Sequence, residues 1–335
     1  MTANPESVSI SAVIPVYSGA DFLAELIQRL AAVRAEWLEK KVPFQLCEVV
    51  CVTDEPRDDS CRILEELGAQ HHWLKVVGLS RNFGQHPATI AGILHTSGDW
   101  VVTLDEDLQH PPENIVQMLK AACMNHADVV YASPGKSVHQ SFIRDMGSRA
   151  FKKLTAVLTR EPSVVMFSSF RLVRGPIARA ACSVCGHETY LDIALCWFTQ
   201  RFRQIPMDLK DVRVISGLTS GYSIRPLLSH ARRMIMSSQL KILRTGVLLG
   251  FFSMSLSVVL GIYVLITEYL DPGRFGVQGW PSLILTILFF GGVSALLLGA
   301  SLEYLTNLVL KAQGKPTFFV VDRSRDRILA EYFSE

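Results

Sequence analysis

Over the first part of the chain, apolar runs of strand length alternate with segments whose apolar positions recur every three or four residues. Val8 to Pro15 alternates like a strand, Asp21 to Arg34 has helical periodicity, and Leu46 to Thr53 is a valine-rich run. The order continues with a helix over Asp59 to Leu67, a strand over Leu74 to Leu79, a helix over His86 to His95 and a strand over Trp100 to Leu104. A helix over Pro112 to Asn125 and a strand over Ala127 to Tyr131 follow. Such alternation predicts a mostly parallel sheet with helices on both faces, whose ligands gather beyond the carboxyl ends of the strands. Four polar loops fall there: Pro15 to Gly19, Thr53 to Asp58, Ser80 to Gln85 and Asp105 to Gln109.

From Pro134 to Tyr222 the pattern is less regular, with helical stretches over Ser141 to Leu158 and Pro176 to Cys185 and around Thr189 to Gln200. Ile224, Leu227, Leu228, Ala231, Met234 and Ile235 then form an apolar stripe with arginines to one side. That stripe suits a helix lying in a membrane interface, and equally an amphipathic helix packed on the preceding domain.

No charged residue occurs from Thr245 to Thr267, nor from Phe275 to Leu302, where the apolar core is Leu283 to Leu302. At about 1.5 Å per helical residue, each stretch spans the ~30 Å hydrocarbon layer. A pair of buried soluble helices would carry polar residues on at least one face. The hydrophobic fraction of 49% and the positive mean hydropathy agree with a lipid-facing portion. The net charge of +2 says little, but its distribution says more. Arg225, Arg232, Arg233, Lys241 and Arg244 precede the first span, and Lys311, Lys315, Arg323, Arg325 and Arg327 follow the second. The connection Glu268 to Arg274 holds Asp-Pro-Gly, a turn signal. The positive-inside rule therefore predicts cytoplasmic termini and an external hairpin tip. The expected organisation is an α/β domain over 1–222, an amphipathic juxtamembrane helix over 223–243, a transmembrane hairpin over 244–310 and a cytoplasmic tail over 311–335.

The N-terminus lacks a basic region followed by an apolar run, so no cleavable signal peptide is expected. The seven cysteines are scattered through the cytoplasmic part, where reduced thiols are the default. Cys182 and Cys185 have a zinc-ligand spacing without a second pair, and read as small apolar side chains of a helix.

The chemistry concentrates in Leu79 to Glu113. Asp105 and Asp107 stand one residue apart where an apolar strand ends, followed by Gln109 and by Pro111-Pro112, a helix start. Alternating acids at a strand end point toward one locus, and hard oxygen ligands at that spacing suit Mg²⁺ or Mn²⁺ bridged to a diphosphate. An isolated D-x-D is also common in solvated acidic turns, and here its setting after a buried strand carries the inference. His86 and His110 flank the motif without a partner at metal-ligand spacing, so helix-start or surface roles are expected of them.

With these residues in place, the chain resembles a family 2 glycosyltransferase of GT-A type, in the branch that glycosylates polyprenyl phosphates. The strongest segment, RNFGQHPATIAGILHTSGDWVVTLDEDLQHPPE, is similar to the family pattern R-N-F-G, then G-D, then D-x-D-L-Q-x-P-P-E. Ser168 to Arg174 resembles a loop ending F-R-L-x-x-R, and Gly217 to Ser223 a G-x-S-x-Y-S segment one residue shorter. Two departures stand out. The family's P-V-Y-N-E is Pro15-Val16-Tyr17-Ser18-Gly19 here, and its V-D-D-G-S-x-D is Val52 to Asp58, retaining Asp54 and Asp58 but neither the first aspartate nor the glycine.

The resemblance implies a Rossmann-like GT-A domain of mostly parallel sheet followed by an interfacial helix and two transmembrane helices. It implies transfer of one sugar, with inversion, from a nucleotide-sugar to a polyprenyl phosphate at the cytoplasmic face of a bacterial inner membrane. Asp105, Asp107 and Gln109 are the candidates for metal and diphosphate. Pro15, Val16, Tyr17 and Asp54 are candidates for the nucleotide, and Arg81, Arg144 and Arg213 for phosphate contacts, since guanidinium groups grip phosphate in bidentate fashion. Asp192, in a Y-L-D shared with some relatives, is a candidate for the acceptor side. The implied partners are the donor, the lipid phosphate, the bilayer and a second copy of the chain through the terminal spans, with no nucleic acid. Two other readings stand beside this one: the same donor chemistry with another lipid or glycan acceptor, and a catalytically silent scaffold, which the altered N-E and D-D-G positions would suit.

Overall fold

The computed structural model describes residues 7–134, 162–186, 189–207, 243–271, 279–312 and 325–334. Strand β1 (Val8–Val16) sends Val8, Ile10, Ala12, Ile14 and Val16 into the core on one face of a sheet and Val13 into the core on the other. A strand covered on both faces must be apolar nearly throughout, which is why the run reads as continuous. Next come α1 (Leu23–Glu39), β2 (Phe44–Thr53), α2 (Ser60–Gln70), β3 (Leu74–Gly78), α3 (Gln85–Leu94) and β4 (Trp100–Thr103). They are followed by α4 (Ile115–Met124), β5 (Val129–Pro134), β6 (Arg171–Arg174), α5 (Gly175–Ser183), α6 (Leu191–Phe198) and β7 (Phe202–Met207).

The seven strands lie in the order β3-β2-β1-β4-β6-β5-β7, with every pairing parallel except those of β6 to β4 and β5. The expected mostly parallel sheet is thus present. Two strands go beyond the pattern read from the sequence, β6 and β7. The first core, under α1, α2 and α4, holds Leu26, Leu30, Leu64, Met118 and Leu119; the second, under α3, α5 and α6, holds Ile93, Ile177, Ala181 and Leu195. Helix α3 comes very close to the sheet at Gly92, where a Cβ would stand 2.4 Å from Val13 Cγ1. That approach sets the start of α3 beside the carboxyl end of β1.

The described residues form two compact units, one within Met1–Ser237 and Lys315–Glu335, the other within Ser238–Gly314. The first includes a helix from the far end of the chain, here α9 (Asp326–Ser334), after α7 (Leu243–Leu270) and α8 (Trp280–Ala312). Leu329 of α9 is buried in the first core, and Tyr332 and Phe333 pack their rings on Phe44 at 5.5 and 6.0 Å. Asp326 takes both terminal nitrogens of Arg174 at 2.8 and 2.9 Å, and Arg325 reaches Asp99 at 2.7 Å.

In the second unit α7 and α8 pack against each other through small residues. A Cβ on Gly250 would stand 2.6 Å from Leu296 N, and one on Gly292 2.8 Å from Met254 N. The Ser253 and Ser257 hydroxyls donate to the Leu288 and Leu285 carbonyls at 3.2 and 3.1 Å. Backbone contact and interhelical hydrogen bonds are what hold helices together where the surroundings are as apolar as the side chains. Gly250–Leu270 and Ser282–Leu302, 21 residues each, are long and apolar enough to cross a membrane. Phe251, Phe252, Leu265, Ile287 and Leu298 point outward. The charged side chain within these two stretches is Glu268, near the end of the first.

Candidate active site

Four loops and the start of α3 converge at the carboxyl edge of the sheet. Strand β4 ends at Thr103, one further ladder bond joins Leu104 N to Val13 O at 2.9 Å, and the acidic residues lie in the turn beyond. They are therefore placed by a turn and not by strand alternation. The reason is visible at Leu108, whose φ of 61° puts a non-glycine residue in the left-handed region. Such a conformation costs on the order of 1 kcal/mol or more and persists where its surroundings impose it. Here the Leu108 side chain is buried in the first core, which anchors the turn between Asp107 and Gln109.

The Asp105 carboxylate accepts from Gln85 Nε2 at 2.6 Å and from the Ser169 hydroxyl at 3.0 Å. Its backbone N–H donates to His110 Nδ1 at 2.9 Å, and His110 Nε2 lies 3.5 Å from Asp105 Oδ2. His110 is buried and stacked on Phe170 at 4.8 Å, so the expected surface role is corrected: the ring is a packed strut of the acidic turn. Burial holds its imidazole below the ordinary value, against the opposing pull of both Asp105 and Asp107. Asp107 is buried as well, and the Gln109 N–H donates to its Oδ1 at 3.3 Å. Glu106, between the two aspartates, turns the other way and accepts the backbone N–H groups of Tyr17 at 2.9 Å and Ser18 at 3.1 Å.

Asp54 is almost fully buried, and its two oxygens accept the N–H groups of Phe83 and Gly84, each at 2.7 Å. The carboxylate thus fixes the Arg81–Gly84 loop, where Gly84 turns at a φ of 95° to start α3. The Arg81 guanidinium sits 4.0 Å over the Phe83 ring at the exposed rim. Asp58 and Ser60 complete the support: Asp58 Oδ2 accepts from Ala20 N at 3.1 Å and Ser60 Oγ from Gly19 N at 3.2 Å.

Beside the acidic turn opens a cavity of about 310 Å³, bounded by Pro15, Phe83 to Pro87, Thr89, Thr103 to Asp105, Ser169, Arg171, Tyr190 and Asp192. His86 and Tyr190 stack at 5.0 Å along one wall. The floor is charged: Arg171 Nη1 is ion-paired with Asp192 Oδ1, the Tyr131 hydroxyl donates to the same oxygen at 2.7 Å, and Arg171 Nε donates to Thr103 Oγ1 at 3.3 Å. Burial alone would lower the Arg171 pKa, but the adjoining Asp192 carboxylate raises it, so the cation is locked on. Burial raises the hydroxyl pKa of Tyr131 and of Tyr190.

Of the residues expected at the site, Pro15 and Asp105 line the cavity together with Asp192. Val16 is buried at the end of β1, while Tyr17 is exposed on the loop that follows. Arg144 and Arg213, and the proposed helix over 223–243 except its last residue, lie outside the described residues. Gln85, Ser169 and Arg171 sit inside motifs quoted above, yet their roles depend on contacts with Asp105 and Asp192 that spacing does not encode. Among the described residues no three His, Cys, Asp or Glu side chains converge as a metal cage. Two carboxylates are nevertheless a suitable donor set for Mg²⁺ or Mn²⁺, which dehydrates reluctantly and shares its shell with water and substrate phosphates.

The chain is similar over most of its length to several curated proteins. An uncharacterised glycosyltransferase of Synechocystis is 28% identical, covering 94% of this chain and 96% of that one. The undecaprenyl-phosphate 4-deoxy-4-formamido-L-arabinose transferase of Edwardsiella ictaluri is 28% identical, covering 93% of each. The bactoprenol glucosyl transferase of Shigella phage SfX is 24% identical, covering 94% of this chain and all of that one, 100%. Among solved structures, glucosyl-3-phosphoglycerate synthase from Mycobacterium tuberculosis aligns with a TM-score of 0.45 at 17% identity, over 69% of this chain and 77% of that one. The domain model for glycosyl transferase family 2 matches residues 11–180. That stretch runs from the middle of β1 into α5 and takes in the Asp54, Arg81 and Asp105–Asp107 loops, and on this match the chain belongs to glycosyl transferase family 2 and is a glycosyltransferase.

Proposed function

We propose that this chain moves a single sugar from a nucleotide-sugar to a polyprenyl phosphate at the cytoplasmic face of a bacterial inner membrane. The observation that carries the donor half is the acidic turn Asp105–Asp107 beside a cavity at the carboxyl edge of the sheet. The acceptor half is supported by the names of the Edwardsiella and phage relatives and by the apolar hairpin of α7 and α8. Residues before that hairpin and residues after it fold into one unit, which supports an even number of membrane crossings and an active site on the same side as both flanks.

In this reading Asp105 and Asp107, with Gln109 beside them, would hold Mg²⁺ or Mn²⁺ against the diphosphate, where the ion offsets charge developing on the leaving group. The remaining steps belong to the protein. Gln85 and Ser169 fix the Asp105 carboxylate, so it meets its ligand without reorganising. Asp54 acts on the donor through the loop it holds, and that loop presents Arg81 at the rim for a phosphate. Arg144 and Arg213 are further candidates for phosphate contacts. The Arg171–Asp192 pair forms the cavity floor on the acceptor side, too tightly paired to exchange protons in turnover. None is needed: a phosphate oxygen of the acceptor, already ionised at neutral pH, attacks the anomeric carbon as the bond to the diphosphate breaks, so a general base is dispensable. Direct displacement gives a β-linked product from an α-linked donor, with the nucleoside diphosphate leaving.

The test is purified full-length protein in detergent with undecaprenyl phosphate and Mg²⁺ or Mn²⁺, challenged with UDP-, GDP- and dTDP-sugars and read by mass spectrometry of the lipid. A metal-dependent gain of one sugar is expected, falling about 100-fold or more in Asp107→Ala protein that still folds. Turnover unchanged by that substitution would sink the reading.

A further inference from the structure

The departure at Gly19, in the loop that follows β1, faces the acidic turn. Position 19 is glycine where the family pattern has an acid, and the residue between the two aspartates is an acid, Glu106. In the structure these two positions compete for one space. A Cβ added to Gly19 would stand 2.7 Å from Glu106 Oε2 and 3.3 Å from Glu106 Cβ. Into that space Glu106 brings a carboxylate whose Oε2 accepts the Tyr17 N–H at 2.9 Å and whose two oxygens lie 3.1 and 3.3 Å from the Ser18 N–H.

Those contacts complete a series. The four successive N–H groups from Tyr17 to Ala20 all donate to side chains, the last two to Ser60 and Asp58. Backbone donors in a non-helical loop need acceptors, and carboxylates supply stronger ones than neutral groups. Asp58 comes from the loop that follows β2, and Ser60 is the first residue of α2. Glu106 comes from the acidic turn itself, so it ties the Pro15–Tyr17 loop to the residues on either side of it, Asp105 and Asp107.

We infer that Glu106 is a positioning residue that supplies from the acidic turn the carboxylate absent at Gly19, holding the nucleotide loop in fixed register with the diphosphate turn. The part of this inference that concerns the donor rests on the transferase reading above; the competition of the two positions for one space does not.

The experiment compares Glu106→Ala, Glu106→Gln, Gly19→Glu and the double variant Gly19→Glu/Glu106→Ala in the full chain in detergent. Amide hydrogen exchange at Tyr17 and Ser18 is one readout; the KM for the accepted nucleotide-sugar, set against kcat and the KM for undecaprenyl phosphate, is the other. Loss of hydrogen bonds to a charged acceptor should speed exchange in Glu106→Ala about tenfold or more and raise the donor KM by about as much, with the lipid KM unmoved. Glu106→Gln, which keeps one acceptor oxygen, should fall between. Gly19→Glu alone sets two carboxylates in one space and should be worse than the double variant, which should recover toward wild type. Unchanged exchange in Glu106→Ala overturns the inference, and so does a double variant no closer to wild type than Glu106→Ala. If the wild-type chain turns over no donor and binds neither UDP nor GDP with Mg²⁺, the transferase reading fails, while the exchange data still decide the positioning role.

Discussion

Glu48, inside the apolar run of β2, accepts both the backbone N–H and the hydroxyl of Ser97 on a single oxygen, at 2.6 and 2.9 Å. Ser11 donates to the same oxygen at 2.7 Å, and Lys75 pairs with the other. Burial by itself would raise this carboxyl; the donors from Lys75, Ser11 and Ser97 outweigh it and hold the pKa down at about 2. The folded value lies below the unfolded value of 4.5, so the carboxylate's contribution is fully present above about pH 4.5 and is lost as pH falls toward 2. Glu48→Gln is therefore expected to cost on the order of 2–3 kcal/mol at pH 7. The gap to wild type should close between pH 4.5 and 2. Denaturant titrations at several pH values measure it, and a gap independent of pH would contradict the assignment.

Asp192 is the counter-ion of a buried guanidinium, and its removal leaves Arg171 uncompensated on the cavity floor. Asp192→Ala should destabilise the catalytic unit by about 3–5 kcal/mol. A compensating Arg171→Met/Asp192→Leu pair should recover most of that stability. Chemical unfolding of the three proteins checks this; equal stability of Asp192→Ala and wild type would show that the pair is not the structural element described.

Neighbouring glycines of α8 give a third expectation. Gly292 faces α7 with Met254 N 2.8 Å from where a Cβ would go, whereas a Cβ on Gly291 would meet nothing within 4 Å. Gly292→Leu should force the helices apart at a cost of about 1–3 kcal/mol, with Gly291→Leu close to neutral. Thermal unfolding in detergent compares them, and equal midpoints for the two variants would refute the packing.

Strands β1 to β5 are legible in the sequence because each is an apolar run bounded by polar loops, and the loops they carry declare their shared edge. Strand β6 is hidden for a physical reason. Its four residues are Arg-Leu-Val-Arg, and both arginines become core-compatible only through acids from elsewhere: Asp192 for Arg171, and Asp128 and Asp326 for Arg174. Local pattern registers such residues as polar. The same holds for the site. The acidic turn announces itself as a motif, but the tie from Glu106 to Tyr17 joins positions 89 residues apart and becomes visible only when the loops are folded together. His110 misleads in the opposite sense, since nothing in its neighbourhood along the chain signals the Phe170 ring that covers it.

The docking of α9 has a consequence in time. Ribosomes deliver the chain from its N-terminus, and domains generally begin to fold as they emerge. Leu329 and the Asp326 partner of Arg174 are made only after both hairpin helices, Leu243–Leu270 and Trp280–Ala312. A nascent catalytic unit thus waits, with Arg174 lacking one of its carboxylates and Phe44 lacking two of its ring contacts, until the hairpin has been synthesised. A prematurely terminated chain never closes that gap, and marginal losses of this size are what cellular proteases act upon. The terminal helix makes wholeness of the polypeptide a condition for a durable enzyme.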